Sequence, residues 1–187
     1  MITSQNITQV RAFARQDGVF LSVLWIAGFL CTMLTTQMPI LAPVADLAVL
    51  ATPFFVAFRL KKFRDTALDG VISFRRGFLY TAETFFHAAL ILGVVQYLYF
   101  RFGDISGFLQ QWNESYSVVA KVYNLSGTQA QQLKDAVGMM SPLAWASMFF
   151  ILELCGAVIV SPIVAAIMAR RIPRKDIQNQ KDNSENN

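Results

Sequence analysis

An all-α, polytopic membrane protein with four transmembrane helices, plus an external amphipathic helical hairpin between helices 3 and 4, is what this sequence predicts. Composition is the first reason. Of 187 residues, 55% are apolar and only 15% are charged, which is too greasy for an ordinary soluble domain. The second reason is clustering. The apolar residues gather into four runs, Val19–Gln37, Ile40–Phe58, Phe78–Phe100 and Pro142–Ala169. Each has the length, roughly 20 residues, that crosses about 30 Å of hydrocarbon as a helix. In lipid every backbone polar group must find an internal partner, so each run reads as a helix. The third reason is where the charge falls. All Lys and Arg except Arg101, Lys121 and Lys134 lie in the N-terminal arm, in the segment 59–76, or beyond Ala169. That bias puts both termini and the middle loop in the cytoplasm. A net charge of +4 is explained by this placement, and no nucleic-acid partner is expected, because no basic region is interleaved with exposed aromatics.

Residues 1–17 form a polar arm in which Val10, Phe13 and Ala14 sit between Arg11 and Arg15. It reads either as an amphipathic turn on the membrane surface or as an extension of the first span. The run after it is long and lacks a small-residue cleavage site, so it is expected to be retained. The link Gln37-Met38-Pro39 is short, which makes the first two spans an antiparallel hairpin. Pro39 suits a first helical turn, and Pro43 and Pro53 fall within the second span, which also carries Asp46 near its outer end.

The segment that follows holds Arg59, Lys61, Lys62, Arg64, Arg75 and Arg76 against Asp65 and Asp69. Such a cluster sets topology and attracts anionic lipid headgroups, at about 1 kcal/mol per basic residue near the surface. The third span ends in Tyr97, Tyr99, Phe100 and Arg101, an aromatic belt with a snorkelling arginine.

Between Arg101 and Ser141, Phe108, Leu109, Trp112, Tyr116, Val119, Ala120 and Tyr123 recur at helical spacing. Asn124–Gly127 reads as a turn. Thr128 followed by Gln131 reads as a capping box opening a second helix. The fourth span starts at Ser141-Pro142, a cap followed by proline at the first helical position. Gly156 and Ala157 offer it a small surface for close helix approach. The domain organisation is thus an arm over 1–17, a transmembrane unit over 18–171 with its external segment at 101–141, and a disordered polar tail over 172–187.

Ionisable groups inside spans are costly and therefore informative. Glu83 and His87 lie four residues apart, hence on one helix face. Counted from the span ends at 1.5 Å per residue, His87 lies about 14 Å deep and Glu153 about 16 Å, with Glu83 shallower at about 8 Å. That arithmetic pairs His87 with Glu153 and extends the column through Glu83; Asp46 and Gln96 are additional polar groups. Two readings stand: a relay or headgroup clamp, and polar glue that fixes helix packing. Catalytic residues, a metal site and a cofactor are not expected, since neither H-E-x-x-H nor G-x-S-x-G nor a glycine-rich phosphate loop occurs. Cys31 and Cys155 read as small packing residues.

The entry Ile72-Ser73-Phe74-Arg75-Arg76-Gly77-Phe78, the amphipathic external segment and the ending Ile163-Val164-Ala165-Ala166-Ile167-Met168-Ala169-Arg170-Arg171 together resemble an uncharacterised bacterial family, domain of unknown function 4199. The resemblance covers roughly Ala14–Arg171. It implies a bacterial inner-membrane location and transfers no catalytic residue. The expected role is a non-enzymatic accessory or assembly subunit that associates with itself or with another membrane protein. The alternative is a small carrier or lipid-handling protein that uses Glu83, His87 and Glu153.

Overall fold

A computed structural model describes residues 4–124 and 126–169. Six helices follow in order: α1 (Ser4–Leu34), α2 (Ala42–Ala67), α3 (Phe74–Phe102), α4 (Ser106–Val122), α5 (Gly127–Gly138) and α6 (Pro142–Met168). Helices α1, α2, α3 and α6 are each long and apolar enough to cross a membrane. The proposed tail over 172–187 lies outside the described residues.

α1, α2 and α3 extend beyond the apolar runs that announce them, whereas α6 matches its run to within a residue. α1 begins at Ser4, so the arm and the first span are one helix. The physical reason is a continuous buried stripe, Val10, Ala14, Asp17 and Leu21, at spacings of three and four. α2 likewise continues past Phe58 to Ala67. This leaves a tight turn in which Asp69 and Gly70 both take left-handed backbone conformations, at φ 50° and 81°. A single 3₁₀ turn, Pro39–Leu41, connects α1 to α2.

Close approaches set the packing, as expected where lipid removes the hydrophobic drive for helices to associate. Gly18 of α1 lies so near α3 that an added Cβ would meet His87 Cβ at 2.7 Å and the Thr84 carbonyl at 2.9 Å. Gly28 lies against Ala48 of α2, and Gly77 of α3 against Ala165 of α6. α3 is the central helix, flanked by α1 and α6, whereas α2 leans mainly on α1 and touches α3 and α6 lightly.

Two apolar clusters result. One, towards the α2–α3 turn, joins Val10, Leu21, Leu60, Phe63, Tyr80 and Val164. The other, towards α4, joins Phe29, Met33, Leu92, Phe100, Phe108 and Trp145.

α4 and α5 form the expected hairpin, turning at Asn124 with φ 50°. The capping box that opens α5 is Ser126 with Gln129, two residues before the expected pair. Ser126 wins because Asn124's left-handed turn delivers it in extended conformation at the helix start. Ser141 caps α6 as expected, its Oγ accepting from Ala144 N–H at 3.2 Å. A cap of this kind is worth about 1 kcal/mol.

Candidate functional site

The proposed polar column divides into two separate groups. Glu83 and His87 do share a face of α3, with His87 Nδ1 2.6 Å from the Glu83 carbonyl oxygen and 3.8 Å from its Oε2. Their further partner is Arg11 of α1, whose Nε donates to Glu83 Oε1 at 3.0 Å. Glu153 takes a different partner: Gln96 Nε2 donates to its Oε1 at 2.9 Å.

His87 and Glu153 lie near one level of the bundle but bond to different partners. The contacts of Gly77 with Ala165 and of Thr81 with the Ser161 carbonyl put position 87 level with Cys155, close to Glu153. Depth is only one coordinate, however. Nine residues separate His87 from Gln96, which is two and a half turns at 3.6 residues per turn. The two side chains therefore leave α3 on opposite faces, His87 beside Gly18 and Gln96 towards α6.

A further polar group escaped the sequence reading. Asp17, only 3% exposed, accepts from Arg59 Nε of α2 at 2.7 Å, and Arg59 Nη2 and Tyr80 Oη of α3 also donate to its carboxylate. One carboxylate thus ties three helices together. Tyr80 also stacks on Phe63 with centroids 5.0 Å apart. The available signal was the apolar stripe of α1 running straight through position 17.

The basic residues divide as well. Arg59 is committed to Asp17. Arg64 is buried, donating to Asp65 at 2.8 Å and to the Met168 carbonyl at 3.2 Å. Arg76 reaches Gln9 Oε1 at 3.3 Å. Lys61, Lys62 and Arg75 are exposed. Asp46 is exposed on α2, apart from the other acids.

Between the two apolar clusters a half-open cavity of about 400 Å³ separates α2 from α6, with α1 and α3 behind it. Small residues create it: Gly28, Ala45, Ala48, Gly156 and Ala157 all face it. A Cβ added at Gly156 would meet nothing within 4 Å, so this glycine opens space instead of serving a close helix approach. Val49 and Leu152, both exposed, mark its rim on the apolar outer surface. Four aromatic rings, Trp25, Phe29, Phe85 and Phe149, line it, and among the described residues Glu153 is the one ionisable group in its wall. The wall's own donors are occupied. Trp25 Nε1–H donates to Thr52 Oγ1 at 2.9 Å, while the hydroxyls of Thr52 and Thr32 donate to the carbonyls of Ala48 and Gly28. Acceptors are left over. Among the described residues nothing donates to Glu153 Oε2 or to Gln96 Oε1, both of which are buried.

A family model described as Protein of unknown function (DUF4199) matches residues 16–170. No curated protein and no solved structure matches the chain.

Proposed function

We propose that this chain, which belongs to the DUF4199 family of unknown function, is a non-enzymatic protein of a bacterial inner membrane that holds a lipid-soluble molecule in the cavity between α2 and α6. The observation that carries the reading is an apolar, laterally open cavity of about 400 Å³ with a carboxyl group in its wall. Concave, mostly apolar sites with a few convergent polar groups are where small ligands bind, and an intramembrane acid marks function more often than not. This is the lipid-handling alternative, with Glu153, held by Gln96, in the cavity wall in place of a continuous Glu83–His87–Glu153 column. The basic ends of α2 and α3 support a cytoplasmic position for that side under the positive-inside rule.

Gly156→Trp tests the reading, since it fills the cavity at a position with open space around it. Protein purified from native membranes in mild detergent should carry a discrete lipid-soluble species, detected by mass spectrometry. The variant should lose it by about tenfold, equivalent to roughly 1.4 kcal/mol, with an unchanged unfolding temperature. Identical lipid inventories in the two proteins would sink the proposal.

The assembly reading draws on the same opening, because a partner helix laid over Val49 and Leu152 would close it. Thiol crosslinking through Cys155, which is free and exposed on α6, separates the two. Capture of one discrete membrane partner in native membranes, with no retained lipid, favours assembly.

A further inference from the structure

We propose that the occupant of this cavity is a neutral lipid with a hydroxylated aromatic head, of the alkylphenol or quinol type, whose O–H donates to Glu153. The inference rests on the cavity reading and adds the chemistry of the ligand.

Three features select that chemistry. The first is the sense of the hydrogen bond. Every donor in the wall is committed within the protein, and the unmatched atom there is a carboxyl oxygen, Glu153 Oε2, which accepts as a carboxylate. A buried polar atom without a partner is costly, so the complementary ligand brings a donor. Rotation about the last torsion of a glutamate is broad and soft, which lets the carboxyl group turn an oxygen into the cavity while Gln96 holds the other.

The second feature is charge. No Lys or Arg lines the cavity, and Glu153 lies about 16 Å along α6 from Pro142 at 1.5 Å per residue, near the middle of a roughly 30 Å core. A phosphate or carboxylate head would meet an acid there, far from any headgroup region, with no cation to receive it. A neutral head matches.

The third feature is shape. Trp25, Phe29, Phe85 and Phe149 supply faces and edges for a ring. A single substituted ring suits about 400 Å³, and an apolar tail can leave between Val49 and Leu152 into lipid. A whole two-chain phospholipid does not suit that volume.

The test uses the full chain in lipid nanodiscs and four probes with matched tails: a brominated alkylphenol, its methyl ether, a brominated long-chain alcohol and a brominated alkyl phosphate. Bromine quenches tryptophan fluorescence at short range, and the quenching lost in Trp25→Phe reports the cavity. On the unmodified protein the phenol should bind about tenfold more tightly than the ether, the expected worth of one buried hydrogen bond. It should also bind more tightly than the alcohol and the phosphate. Glu153→Met, which keeps the volume and removes the acceptor, should bring phenol and ether to within about twofold of each other.

Equal binding of phenol and ether, or preference for the alcohol or the phosphate, overturns this inference and leaves the cavity reading standing. Preference for the phenol that survives Glu153→Met overturns the role of Glu153. If no probe quenches Trp25, the cavity reading falls together with the inference. Should Glu153→Met fail to accumulate, Gln96→Leu takes its place and should weaken the phenol more than the ether; equal weakening overturns the carboxyl arrangement. The comparison of probes on the unmodified chain decides the ligand class in either case.

Discussion

Asp17 ties three helices together through one carboxylate, and its mark in the sequence is the apolar stripe of α1 that it interrupts. It is buried, and it holds Arg59 and Tyr80 from two other helices. Removing one partner of a buried ion pair strands the other, at a cost of about 3–5 kcal/mol, whereas losing one hydrogen bond to a charged group costs about 1.5–3 kcal/mol. Asp17→Ala should therefore destabilise the protein about twice as much as Tyr80→Phe, as read by thermal or denaturant unfolding in detergent. Equal losses would show that Asp17 works by packing alone. The acids and amides inside α3 and α6 were legible as residues that must find partners, because hydrocarbon offers them none. Which partners they find was not legible. Pairing by depth matched His87 to Glu153, but helix phase sends Gln96 there, and phase depends on which face of α3 each neighbour occupies.

The α4–α5 hairpin shows the same division between what a period reveals and what docking decides. Apolar residues at helical spacing announce an amphipathic α4, and Phe108 and Trp112 do turn inward. They meet a box of rings: Phe108 lies 4.9 Å from Trp145 and 5.2 Å from Phe100, and Trp112 lies 5.1 Å from Trp145. The corner leading into α4 is pinned as well. Tyr99 donates to the Asp104 carbonyl at 2.8 Å, and the Asp104 carboxylate accepts from Ser106 N–H at 2.9 Å. These hydrogen bonds from Ser106 hold the Asp104 carboxyl below the usual carboxylate range. Phe108→Ala should cost about 3–5 kcal/mol of packing at this joint and release α4 while the spans persist. Trypsin cleavage at Lys121 should then accelerate by at least about tenfold, the equivalent of roughly 1.4 kcal/mol, with unchanged helical circular dichroism. Unchanged cleavage would mean that α4 is held elsewhere. α5, which has no aromatic residue, follows α4 through the turn at Asn124.

Four apolar runs of spanning length were enough to foresee the four long helices, because hydrocarbon thickness is a hard ruler. They understated the helices, since a helix does not stop where its apolar run stops; α1 and α2 continue through charged residues as long as a buried stripe persists. Under the proposed topology, Ser126→Cys should react with a membrane-impermeant thiol reagent in intact cells, and Thr66→Cys only after permeabilisation. The reverse pattern would overturn it. The three-helix tie at Asp17 also has a bearing on the order in which the chain is made. Arg59 emerges 42 residues after Asp17, and Tyr80 emerges 63 residues after it. In α1 alone that carboxylate would lack both of the partners that it is buried against, a costly state. The α1–α2 pair is thus the earliest nascent unit whose acid is already neutralised, and arrival of α3 closes the last bond. Biogenesis accordingly favours release of the first two helices into the bilayer together, with the third locking an arrangement that its predecessors have already begun.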